Sequence, residues 1–384
     1  MRLWIETAQH APGDPACGVA STFQREGRFY ALLASDPRAA GEGDIARAVT
    51  QTQELLRQGA PFDVVVDALL ADLPANEHVP CAVLLALAAD DPARYRASLV
   101  ECDAPPLFLT RGGQLLLPPV LEEVRAGHLV RMCEFDLRLG DYLALVGDRA
   151  IRARGWSRRW GWQEIAASTR RLTDTGCDAA QLLGALVRMY RRLAEAAGEQ
   201  AAPDVCMMAM HVRPMRTATI WTGPPSNPEL DAVAMQTLLA EAGTRVICGD
   251  TTAQIAARLL ETSAELESRP GDDRDGNHPW AEVPPVSHLD GIDLVTEGRI
   301  TLAQARARIA RVGQGDLDAL QGEDGAARLA RVLLGADRVH FVLGQAPVPE
   351  RVTAPLAVPG RQELVESLRQ ELESRGKVVS LEAL

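Results

Sequence analysis

Aromatic side chains are scarce in this sequence, at 4% of its residues. That scarcity argues against the stacked-base platforms of single-strand nucleic-acid binders. An excess of positive charge is also missing. The formal net charge is −12, which disfavours non-specific contact with nucleic acid or an anionic membrane, since both attract basic proteins. No apolar run approaches the roughly 20 residues needed to cross a bilayer. The opening "MRLWIETAQHAPGD" lacks the basic start and apolar run of a secretory signal. The sequence therefore predicts a cytoplasmic protein without nucleic-acid or membrane partners. Its seven cysteines contain no CxxC pair, so neither a zinc ribbon nor a disulfide framework is expected, and the thiols read as reduced and buried. No internal repeat is present.

What the chain does have is length and apolar mass. Its 384 residues, 47% of them hydrophobic, suffice for two domains with full cores. The first half is a strand meander interrupted by helix pairs. "GVASTFQ" and "RFYALLAS" flank the turn Arg25-Glu26-Gly27 as a hairpin. Two helical patterns follow, "EGDIARAVTQTQELLRQG" and "PFDVVVDALLADL", with Asp44 and Pro61 at their starts. Strand-like runs come next: "CAVLLALAA", "RYRASLVEC", "PLFLTRG", "QLLLPP" and "LVRMCEFDLRLGDYLALVGD". The helices "GWQEIAASTRRL" and "DAAQLLGALVRMYRRLAEAAG" and the strand "VCMMAMHV" close the half. This order predicts an α+β sandwich of stacked sheets flanked by helices.

The second half alternates strand and helix, from "TATIWTG" and "ELDAVAMQTLLAEAG" through "TRVICGD" and "TAQIAARLLETSAEL" to "RVHFVLGQA", "RQELVESLRQELESRG" and "KVVSLEAL". Such alternation predicts a smaller α/β domain with a parallel or mixed sheet. The boundary falls near "HVRPMRT", giving domains over 1–213 and 214–384. The acidic stretch "SRPGDDRDGNHPWAEVPP" reads as a surface loop.

Several segments carry a family resemblance: "RWGWQEIA" in the first half, and "GPPSNPELD", "CGDTTAQIAARLL", "GIDLVTEGRITL" and "DRVHFVLG" in the second. On these the chain resembles the SpoIIE-type branch of the metal-dependent serine/threonine phosphatases, with a PPM or PP2C-like fold, in a two-domain bacterial subgroup with a C-terminal α/β domain. The resemblance implies two Mn²⁺ or Mg²⁺ ions held by carboxylates at strand ends, where they activate a water for phosphoryl transfer. The family's pattern supplies an early Gly-Asp, an Asp-Gly, a Ser-Asp-Gly and a late Asp-Asp. Here these fall on Gly18-Val19, Ser35-Asp36-Pro37, Gly147-Asp148-Arg149 and Pro203-Asp204. Asp148 keeps its carboxylate, Asp36 and Asp204 remain as residual ligand candidates, and one ligand is gone. Arg38 and Arg149 bring positive charge beside the site and are candidate phosphate ligands.

The resemblance therefore implies a regulatory or phosphoprotein-binding pseudophosphatase with a protein partner and no resident cofactor. An active phosphatase with Mn²⁺ or Mg²⁺ is the alternative. A second alternative is anion or small-ligand binding by the α/β domain. There Gly249, Asp250, Thr251 and Thr252 form a strand-to-helix turn whose free N–H groups attract anions. Capping of the helix by Thr251 or Asp250 explains the same residues. Glu297, at the end of "GIDLVTEG", is the candidate acid, base or cation ligand beside that turn. His278 and His288, with Asp272, Asp273 and Asp275, lack regular ligand spacing and read as a solvated acidic loop. The run "RARGWSRRWGW" reads as a loop that packs its tryptophans down.

Overall fold

The computed structural model describes residues 2–13, 18–25, 27–35, 44–73, 78–151, 158–196, 205–263, 265–266, 286–313, 317–347 and 359–384. They divide into two compact units, Met1–Pro214 and Met215–Leu384.

The first unit is built on two antiparallel sheets. Six strands, β2 (Gly18–Arg25), β3 (Arg28–Ser35), β4 (Cys81–Ala88), β5 (Arg94–Cys102), β8 (Leu121–Arg125) and β9 (His128–Arg138), pair in the order β2-β3-β4-β5-β9-β8. Five more, β1 (Leu3–His10), β6 (Phe108–Arg111), β7 (Gln114–Leu116), β10 (Tyr142–Val146) and β11 (Met207–Pro214), pair in the order β1-β11-β10-β6-β7. Side chains alternate between faces along a strand, and the cores follow that alternation. Phe29, Ala31 and Leu33 join Ile5, Met208 and Met210 in one cluster that draws on both sheets. Their neighbours Tyr30, Leu32 and Ala34 face the other way, toward α1 (Asp44–Gln58) and α2 (Phe62–Asp72), and pack with Leu56, Val65 and Leu69. Ala144 and Val146 lie under α4 (Arg158–Asp174) and α5 (Ala179–Ala196) with Ile165, Leu182 and Leu186. Hence "RFYALLAS" is apolar throughout, because both of its faces are covered. Each fully buried Leu or Phe there contributes about 1.5–3 kcal/mol.

Two readings of the first unit need correction. "LWIETAQH" is a strand, paired with β11 over its whole length. Its polar residues Glu6, Thr7, Gln9 and His10 hide the pattern because the second half of the strand is only partly covered. The run "LVRMCEFDLRLGDYLALVGD" is two strands in different sheets. Gly140 takes a left-handed backbone (φ 83°) that a side chain would disfavour, and the chain passes there from β9 to β10.

The second unit has one seven-stranded sheet. Its strands are β12 (Thr217–Thr222), β13 (Thr244–Cys248), β14 (Glu265–Leu266), β15 (Ser287–Leu289), β16 (Ile292–Thr296), β17 (Arg338–Leu343) and β18 (Val378–Ala383), in the order β14-β15-β16-β13-β12-β17-β18. The five strands from β16 to β18 are parallel, and β14 and β15 add an antiparallel edge. One face packs on α8 (Arg299–Gly313), α9 (Gly325–Gly335) and α10 (Arg361–Ser374) through Leu302, Leu329 and Leu368. The other packs on α6 (Asp231–Ala240) and α7 (Asp250–Leu259) through Leu238 and Ala256. The helix expected over "TAQIAARLLETSAEL" ends early, at Leu259, and Glu261 beyond it has a left-handed backbone (φ 54°).

Glu6 on β1 ties the five-stranded sheet to α5. Its carboxylate lies 3.7 Å from His211 Nδ1, accepts from Arg213 Nε at 3.0 Å and accepts from the Ala179 backbone N–H at 3.3 Å. His211 first, then Arg213 and the amide, hold its carboxyl down to about 2 against the opposing effect of burial. A carboxyl with a lowered native pKa stabilises the fold above its unfolded value, 4.5, and loses that contribution as pH falls toward 2. Glu6→Gln is expected to lower the melting temperature at pH 7 and to flatten its decline between pH 4.5 and 2. Thermal melts across that range test this.

Candidate functional site

Strand ends from both sheets of the first unit meet at one seam. Gly18 opens β2 and lies opposite Ser35 at the end of β3. A Cβ on Gly18 would stand 2.4 Å from Cys206 Sγ, just before β11, and one on Gly147, just after β10, would stand 3.1 Å from Ser35 Oγ. The Gly147 N–H donates to the Cys206 carbonyl at 2.7 Å. Two glycines thus let the six-stranded and five-stranded sheets close on each other here. Asp148 follows at once and opens the short helix α3 (Asp148–Ile151), with its residue surface only 2% exposed.

An imidazole lies beside the Asp148 carboxylate. His78, just before β4, places Nε2 3.5 Å from Asp148 Oδ2 and Nδ1 4.0 Å from Asp103 Oδ2. Asp103 follows β5 in a left-handed backbone conformation (φ 52°), uncommon for a residue with a side chain. It is held there by β9. Its N–H donates to the Leu129 carbonyl at 2.9 Å, and its Oδ1 accepts from the Leu129 N–H at 3.1 Å. Its Oδ2 lies 2.8 Å from Nδ1 of the wholly buried His128. Glu101, also buried, accepts from the Leu107 N–H at 2.6 Å and pairs with Arg131 at 3.1 Å. Burial outweighs that arginine and pushes the Glu101 carboxyl up to about 7.

Of the expected first-unit residues, Asp148 lies in the seam and Arg149 is half-buried beside it. Asp36, Arg38 and Asp204 fall outside the described residues. The residue aligned with the early carboxylate, Val19, packs toward the core beneath α1 and α2. His78, Asp103 and His128 were not foreseen. They are far apart in sequence and share no spacing, so only the pairing of β4, β5 and β9 brings them together.

In the second unit the strand ends are in register, Thr222 opposite Cys248 and Cys248 opposite Thr296. Gly249 (φ 129°) occupies the N-cap position of α7, and no side chain caps that helix. The capping expected of Asp250 or Thr251 therefore does not form, and both residues are exposed. Thr252 is buried, 1% exposed, and its hydroxyl has no hydrogen-bond partner among the described residues. That hydroxyl is 3.1 Å from where a Gly249 Cβ would stand, so it borders the space which the glycine leaves open. Glu297 spends its carboxylate on the next helix, accepting from the N–H groups of Ile300 and Thr301 at 3.1 and 3.3 Å. Gly298 nevertheless lies against this turn: its Cβ would be 3.4 Å from Gly249 Cα.

Elsewhere, His288 is exposed and faces Asp290 at 3.3 Å, while His278 and its acidic neighbours lie outside the described residues. Trp162 stacks on Phe108 with ring centroids 5.2 Å apart, but from α4, so the end of the run expected as a loop is helical.

No family model matches the chain, and no curated protein matches it. Solved structures do. The phosphatase domain of the cell-fate determinant SpoIIE from Bacillus subtilis matches at 12% identity, with 55% of this chain and 92% of that one covered and a TM-score of 0.40. The RsbU and RsbW domains of a Mycobacterium tuberculosis protein match at 15%, covering 62% and 67%, with a TM-score of 0.41. The catalytic domain of the serine/threonine phosphatase PstP, solved with two manganese ions, matches at 16%, covering 55% and 99%, with a TM-score of 0.35. The SpoIIE and PstP structures are of phosphatase domains, the kind of protein that the sequence motifs resemble.

A pair of hard divalent ions needs several oxygen ligands around each. The described residues of the seam do not fit that need. Val19 offers no oxygen and faces the core, and Asp148 and Asp103 lie on either side of an imidazole.

Proposed function

We propose that this chain is a regulatory pseudophosphatase: a PPM-like sandwich that binds a phosphoprotein or another protein partner in a bacterial cytoplasm without hydrolysing phosphate. The observation that carries this reading is the donor set around Asp148. Two dications about 4 Å apart repel by about 17 kcal/mol even at an effective dielectric of 20, so the centre needs carboxylates on every side. Apolar Val19 stands where the family pattern has one, and His78 stands at the Asp148 carboxylate. A half-buried arginine next to Asp148 suits a phosphoryl group that is held rather than cleaved, because guanidinium meets phosphate oxygens bidentately. Arg38 is its proposed companion.

The test is turnover of p-nitrophenyl phosphate with added Mn²⁺. Release no faster than the protein-free blank is expected, with Asp148→Ala leaving it unchanged. Mn²⁺-dependent turnover that Asp148→Ala abolishes in a folded protein would instead establish the active phosphatase.

A second reading is favoured by one separate observation, the buried and unpartnered Thr252 hydroxyl beside Gly249. We propose that the start of α7 holds an anionic group of a small ligand, the α7 backbone N–H groups and the Thr252 hydroxyl donating to it. It lies at the carboxyl ends of parallel strands, where open α/β sheets bind ligands. Inorganic phosphate and nucleotides are expected to raise the melting temperature of the whole chain, and Thr252→Val to remove that shift. Absence of any shift at millimolar ligand, or a shift that survives Thr252→Val, would reject this site.

A further inference from the structure

We propose that Cys102, Asp103 and His128 form a binding site for a single borderline-soft divalent cation, with zinc as the best match. The proposal goes beyond the reading of the seam as a disabled phosphatase centre and does not depend on it. One ligand atom from each of the three residues lies within 4.8 Å of the others. In a tetrahedral zinc site, bond lengths near 2.0–2.3 Å set ligand atoms about 3.3–3.8 Å apart. The three donors therefore need to close by about 1 Å. A thiolate and a carboxylate cancel the charge of a divalent ion, and an imidazole adds a neutral donor. Sulfur and nitrogen donors favour zinc over the hard ions that the phosphatase resemblance implies.

Three further observations point to a ligand. His128 is wholly buried, and its Nδ1 faces Asp103 Oδ2 at 2.8 Å. A cation held between those two atoms would displace the proton they share, as metal binding at protonated ligands does. Asp103 keeps an uncommon left-handed backbone, fixed by two hydrogen bonds to Leu129. That conformation holds its carboxylate at His128 instead of releasing it to solvent.

The third observation is a fourth donor. Cys81, buried at the start of β4, forms a backbone bridge to Asp103, which makes its thiol the candidate to complete a tetrahedron. The ion can enter past His78 and Asp103, whose side chains are 31% and 13% exposed. Once bound, it would pin the end of β5 to the starts of β4 and β9.

The experiment uses the whole chain, reduced and stripped with a chelator, and titrates it with Co²⁺ alone. One equivalent is expected to bind with a thiolate-to-cobalt charge-transfer band in the near ultraviolet, and one equivalent of Zn²⁺ to bleach it. Cys102→Ser should cut the band to no more than half and weaken Zn²⁺ binding by about 100-fold, with circular dichroism confirming the fold. Should Cys102→Ser fail to fold, Asp103→Asn serves as the second variant and is expected to weaken binding at least 10-fold. No charge-transfer band in the native chain would overturn the proposal. So would a full band in folded Cys102→Ser, or unchanged affinity in Asp103→Asn.

Discussion

A carboxylate taken out of water must meet opposite charge or hydrogen-bond donors, or its ionised form becomes very costly. Asp148 is such a group. It lies where the two β-sheets meet, and where a Cβ on Gly18 or Gly147 would press on the Cys206 and Ser35 side chains. An imidazole, that of His78, lies 3.5 Å from its carboxylate. The character of the seam follows from this. A centre for two metal ions needs several carboxylates; among the described residues of the seam, the buried carboxylate of Asp148 meets a histidine. The same histidine reaches toward a second acid, Asp103, which belongs to the His128 group.

The second unit follows a different logic. Its parallel strands end in register, so the turns after β13 and β16 come together, joined by the Gly249 N–H donating to the Thr296 carbonyl at 2.8 Å. Glycines at positions 249 and 298 make that approach possible. The charged residues of these turns are either solvated, as Asp250 is, or used in capping, as Glu297 is. What the turn still offers a ligand is backbone N–H groups and one buried hydroxyl. Such a set suits an anion and does no acid–base work.

Much of the architecture was legible in the chain because burial writes itself into apolar patterning. The both-faces-covered strand "RFYALLAS" and the β-α rhythm after residue 214 are apolar for reasons that local sequence reveals. β1 escaped notice because an incompletely covered strand carries polar residues that blur alternation. The split between β9 and β10 rests on a single glycine turn inside an otherwise continuous run. The candidate sites were less legible. Asp148 could be placed because it follows a recognisable strand end. His78, Asp103 and His128 could not, since their proximity arises from the lateral pairing of three strands and from an Asp backbone that only tertiary hydrogen bonds hold. Thr252 was singled out for its position, but not for its unsatisfied hydroxyl, which depends on how tightly α7 packs.

The central claim is that the seam around Asp148 has lost the ability to hold two hard metal ions. Electron paramagnetic resonance of the whole chain with two equivalents of Mn²⁺ tests it most directly. The account predicts the six-line signal of free aqueous Mn²⁺ at nearly full intensity. A spin-coupled pair signal that disappears in Asp148→Asn would contradict it.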